Sequence, residues 1–172
     1  MSEVKALTLA VVLLPFLANT LIPADDAGRT TNIYVVALTE AAKEMDRQWS
    51  QYSGSVATDG NRIPTDYRHL VVAKEDSVRS DYPSVSDQIR FEYLTNSEIH
   101  ARRRKLRKDF TFLRVCPATV EGPRVKVVVA QDWVTIVKGK PGVAISDWAA
   151  VFFRINPDTG QFRIDEVKLG GI

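Results

Sequence analysis

The sequence predicts an α+β fold. A long N-terminal helix should pack on a strongly twisted antiparallel sheet of roughly four to six strands, with an apolar helix in front of both. Two observations carry that reading. Between Thr30 and Trp49, Ile33, Ala37, Ala41, Met45 and Trp49 recur every fourth residue with Leu38 beside them, which is one face of a helix. From Phe110 onward, runs rich in valine and aromatic residues alternate with short Gly/Pro turns, which is the pattern of antiparallel strands.

Each element has its own local signal. Thr30, Thr31 or Asn32 can cap the first helix, and Tyr52-Ser53-Gly54 is its expected stop. Residues 53–66 are loop-forming, and Tyr67–Ala73 is a short apolar run that suits a strand. Lys74–Ser86 is polar and carries Pro83, so it is a loop. In Gln88–Leu94, Ile89, Phe91 and Tyr93 fall on one side and Arg90 and Glu92 on the other. Thr95-Asn96-Ser97-Glu98 is a capping box, which starts a second helix running to about Lys108. Phe110–Cys116, Arg124–Val137, Ile145–Ile155 and Gln161–Leu169 are strands. A turn at Pro117–Pro123, a KGKPG loop at Lys138–Gly142 and the hairpin Asn156–Gly160 separate them.

Composition narrows the function. The chain has 172 residues, 45% hydrophobic and 26% charged, which is globular and leaves out a disordered tail, a collagen or a polytopic membrane protein. A net charge of +2 excludes a nucleic-acid polycation. One cysteine excludes an intrachain disulfide and a cysteine-rich zinc module, and two histidines leave little for a His-based metal site. No cofactor or metal is expected.

Ala6–Ile22 (ALTLAVVLLPFLANTLI) is uncharged and apolar on every side. Its length meets the lower end of the ~17–25 residues of a membrane span. A cleaved signal peptide is the competing reading, although the residues around Ala18 and Ala24 suit cleavage poorly. A buried soluble helix is the third. The expected organisation is therefore 1–24 as anchor or signal segment and 25–172 as one domain. In both export readings the domain lies outside the cytoplasm, in a bacterial periplasm or secreted.

The stretch RVKVVVAQDWVTIVKGK…DWAAVFFRINPDTGQFRIDEVKLGG, preceded by the long helix, resembles the ends of NTF2-like (cystatin-like α+β cone) domains over about residues 30–169. The resemblance is one of pattern and contains no catalytic motif. It implies a cone whose interior can be an open pocket, and an architecture shared with membrane-anchored secretion-channel subunits. A fold of this kind hosts unrelated functions.

Candidate functional residues are few. Arg102, Arg103, Arg104, Lys105, Arg107 and Lys108 form a basic run that could meet a protein partner, anionic lipid or nucleic acid. On a helix they spread around the circumference, so a solvated helix is the plain alternative. Asp132 and Asp147 each precede a tryptophan, and Asp132 would act as acid or base if it points into the cone. Its plain alternative is a surface carboxylate. Tyr67, His69, Tyr93, Asp132 and Trp148 are the candidate pocket groups. His69 and His100 have no partner at metal or triad spacing. Cys116 shares a strand face with Arg114, two residues before it, and otherwise reads as a structural thiol.

Two functions follow. The first is a non-catalytic assembly subunit, anchored or exported, that works by protein–protein contact in a homo- or hetero-oligomer. The alternative is a small-molecule binder or pocket enzyme of isomerase or hydrolase type. A nucleic-acid module ranks last.

Overall fold

A computed structural model describes residues 32–52, 66–74 and 84–171. The leading apolar segment, and with it the expected anchor or signal, lies outside the described residues. So does the Ser53-Gly54 helix stop. Helix α1 is Ile33–Tyr52. Asn32 caps it: its Oδ1 accepts a 2.8 Å hydrogen bond from the Tyr34 N–H, satisfying one of the open amides at the helix start. Strands β1 (His69–Ala73), β2 (Val85–Ser86) and β3 (Ile89–Leu94) precede helix α2 (Asn96–Leu106). Strands β4 (Phe110–Val115), β5 (Thr119–Glu121), β6 (Arg124–Val137), β7 (Lys140–Ile155) and β8 (Phe162–Gly171) complete the order.

Among the described residues the sheet has eight strands in the order β2-β3-β1-β4-β6-β7-β8, with β5 also paired to β6. It is mixed, not antiparallel as expected, because β1 lies parallel to both β3 and β4. The reason is in the connections. Parallel neighbours need a long crossover. The stretch between β1 and β3 and the helix α2 between β3 and β4 supply it. The chain thus forms a split β-α-β unit, with β1 inserted between the two strands that α2 joins. Short apolar runs do not reveal their pairing direction, so the sequence pattern predicted too small and too uniform a sheet.

From β4 onward the expectation and the structure agree closely. The KGKPG segment is an exception. It is a two-residue turn, with Lys138 at φ 50° and Gly139 at φ 76°, so β7 begins at Lys140. Two successive positive φ values match the twist of a hairpin, and a glycine at the second position adopts them without strain. The Pro117–Pro123 turn likewise contains a short strand, β5.

The core lies between α1 and one face of the sheet. Ile33, Ala37, Leu38, Ala41 and Met45 are buried there against Val127, Val129, Ala149, Val151 and Phe153, with Trp49 at the edge. Three alanines on this face (Ala37, Ala41 and Ala42) let the helix lie close to the strands. Tyr34 ties the helix to the irregular link between β4 and β5, where its hydroxyl accepts from the Ala118 N–H at 3.3 Å. A second, smaller cluster sits on the opposite face, where Ile99 of α2 packs with Ala73, Phe112 and Val134.

Candidate functional site

The second face holds the site, and β6 places it. Alternation sends Val127, Val129 and Gln131 towards α1 and Ala130, Asp132 and Val134 towards α2. Gln131 pairs with Asp147, but Asp132 pairs with Ile145, so β7 carries one extra residue at this point. This bulge changes the phase of β7. Val143 and Trp148, of opposite parity in sequence, both come to the α2 side.

Helix α2 covers this face only in part. Its start is the expected capping box: the Glu98 N–H donates to Thr95 Oγ1 at 3.3 Å, and the Thr95 N–H donates to Glu98 Oε2 at 2.7 Å. Those bonds hold Glu98 below the usual carboxylate range, the Thr95 backbone bond contributing most. Arg107 in the left-handed region ends the helix by donating its N–H to the Arg103 carbonyl at 3.0 Å. Arg102 makes a two-pronged ion pair with Glu92 on β3, which lowers the Glu92 pKa. Arg103 pairs with Asp109, whose other oxygen accepts from Thr135 on β6 at 2.8 Å.

Asp132 is only 2% exposed. The Arg114 guanidinium from β4 lies side-on to it, with Nε to Oδ2 at 2.9 Å and Nη2 to Oδ1 at 3.5 Å. The same arginine directs Nη1 towards Cys116 Sγ at 3.9 Å, as the shared strand face implied. Asn96, Ile99, His100, Phe112, Arg114, Asp132 and Val143 line a cavity of about 240 Å³ beneath α2. The His100 Nδ1 is buried with no hydrogen-bond partner among the described residues.

This arrangement corrects the expected pocket. Asp132 is not a surface carboxylate, and it faces α2, away from the interior beside α1. Tyr67 is buried on the α1 side, donating its hydroxyl to Gln131 Oε1 at 2.9 Å. Tyr93 joins the same core, where burial pushes its phenol above the usual range. His69 is exposed at the start of β1. Trp148 is 37% exposed, lying across Gly170 on β8, where a Cβ would overlap its ring. The five groups therefore do not converge. Of the basic run, Arg102 and Arg103 serve as structural pairs, whereas Arg104, Lys105, Arg107 and Lys108 are exposed with no ion pair among the described residues.

A second cleft of about 460 Å³ lies beside α1, between Asp46, Tyr67, Arg68 and the Lys43–Asp87 ion pair. Hydrogen bonding to Asp87, then to Glu40, raises the Lys43 pKa. Sequence reasoning missed His100 and Val143 as members of one site with Asp132. The bulge that brings Val143 round leaves no signature of its own, although the Arg114–Cys116 spacing was visible. Among the described residues, no group of three His, Cys, Asp or Glu side chains could hold a metal ion, and no helix is long and apolar enough to cross a membrane. Comparison of the chain with protein-family models, with curated proteins and with solved structures returns no match.

Proposed function

We propose that the chain is a non-catalytic NTF2-like domain, anchored or exported by residues 1–24, which serves as an assembly subunit through protein–protein contacts. One observation carries this reading. The space between α1 and the sheet, where a cone of this kind would open its pocket, is filled by Leu38, Val127, Val129, Val151 and Phe153, each no more than 1% exposed. The apolar groups left open lie elsewhere. Val143 is 52% exposed at the edge of the cavity beneath α2, and Ile136 and Trp148 are each 37% exposed on the same face of the sheet. The exposed cations Arg104 and Lys105 stand on α2, which packs on that face, and Arg107 and Lys108 follow at its C-terminal end. An apolar patch with a charged rim suits a protein partner.

The test is native mass spectrometry of the full-length chain in mild detergent, with the Ile136→Glu and Trp148→Arg variants alongside. The expected result is a stoichiometric assembly that the variants dissolve while their circular dichroism stays unchanged. A monomer without bound protein at every concentration would refute the proposal.

A further inference from the structure

Three separately unfavourable features meet beneath α2. Asp132 is a carboxylate withdrawn from water, and burying such a pair is often no better than filling the space with apolar groups. The His100 Nδ1 is buried without a partner among the described residues, which forfeits a hydrogen bond. A volume of about 240 Å³ between them is left unfilled, although close packing is the rule for protein interiors. Departures from good packing and full hydrogen bonding cluster where a site is needed. The β7 bulge falls beside the same aspartate, and bulges are frequent next to sites.

From this geometry we infer that the cavity binds a compact neutral molecule carrying a hydroxyl on an apolar body, of the size of a simple phenol. The polar wall sets the class. Asp132 can only accept, and among the described residues its Oδ1 has only a long 3.5 Å contact with Arg114, so acceptor capacity remains there. An imidazole nitrogen donates or accepts according to its tautomer. A hydroxyl donates its one proton to the carboxylate and accepts from the imidazole in the tautomer that carries its hydrogen on Nδ1. Asp132 and Arg114 balance each other's charge, so a cationic ligand would leave a net positive charge beside the arginines of α2. An anionic one would face Asp132 directly. Ile99, Phe112 and Val143 form the apolar wall. Drug-sized pockets hold roughly 300–1,000 Å³, so this one takes a smaller molecule.

The chain's two histidines make the test direct. In the full-length His69→Gln protein, His100 is the single imidazole, and its ring ¹⁵N resonances report on the cavity. The probes are p-cresol, toluene, benzylamine and benzoate. The expected result is saturable movement of the His100 resonances by p-cresol, with toluene bound at least about tenfold more weakly because it leaves the polar wall unpaired. Asp132→Asn should weaken p-cresol about tenfold, since hydrogen bonds to a charged acceptor are the stronger ones. Val143→Trp, at the exposed mouth, should abolish the response with the circular dichroism unchanged. Equal affinity for toluene would reduce the cavity to an apolar void and overturn the proposal. Tighter binding of benzylamine or benzoate, binding that survives Val143→Trp, or no response of His100 would overturn it as well.

Discussion

On one side of the sheet a 20-residue helix lies over buried valines and a phenylalanine. On the other, an 11-residue helix rests on one buried residue, Ile99, beside a cavity. The first contact is almost wholly apolar. It is insensitive to pH and direction, and it improves with area. The second is held by a capping box, two arginine–carboxylate pairs and a small cluster. Those forces are directional and screened by salt, and they depend on protonation. One sheet thus carries a layer held by apolar packing and a layer held mainly by polar and charged contacts.

The largest effect expected is on the α1 side. Phe153→Ala removes a fully buried ring that meets Phe162 edge-on at 5.3 Å, and should cost about 3–5 kcal/mol in chemical denaturation. Ile99→Ala on the other side should cost about 2 kcal/mol, the low end for such truncations, because the site already has space into which neighbours can relax. An Ile99→Ala loss equal to that of Phe153→Ala would break the comparison.

Next comes the buried pair. Arg114→Met leaves Asp132 without its counter-charge and should destabilise by about 3 kcal/mol at neutral pH. Adding Asp132→Asn should restore part of that loss, since the remaining buried group is then uncharged. The double-mutant cycle read by urea unfolding checks this. Additive effects would show that the two side chains do not depend on each other.

How far the sequence foretold these faces follows from the same physics. The α1 face is written in a four-residue period and strands β4, β6, β7 and β8 in residue types, so these were legible, apart from β5 and the first residues of β7. The capping box was legible because its parts are three residues apart. The parallel position of β1 was not, because nothing in HLVVA says which neighbour it takes. Nor was the site: Asp132 and Trp148 were marked as candidates, but which face each serves depends on a one-residue bulge and on where α2 lands. Tyr67 and Tyr93 were marked for their chemistry, and the fold uses them for packing.

A smaller effect separates the layers by pH. The hydrogen bond from Arg102, with its charge, holds the Glu92 carboxyl below its ordinary value of 4.5, and Thr95 holds Glu98 below the same value. A carboxyl lowered in the folded state contributes stability that is complete above the ordinary value and lost as pH falls through the lowered one. Acidification below 4.5 should therefore weaken the α2 layer. Glu92→Gln should lower the midpoint of urea unfolding at neutral pH and narrow the gap to wild type in acid. A gap that is constant with pH would mean that the pair contributes nothing through its charge.

The smallest effect bears on the proposed partner surface. Arg103 is 12% exposed in its side chain and holds Asp109, which in turn holds Thr135 on β6, so Arg103→Ala should cost about 1.5 kcal/mol by loss of charged hydrogen bonds. Arg104→Ala and Lys105→Ala touch no such pair among the described residues, and should stay within about 0.5 kcal/mol of wild type in thermal unfolding. A contrast of that kind divides the basic run by task. Arg102 and Arg103 fasten the helix, and the four cations beyond them are free to meet a partner without loosening it. If Arg104→Ala and Lys105→Ala destabilise the fold as much as Arg103→Ala does, the run is structural throughout and α2 has no charge to spare for assembly.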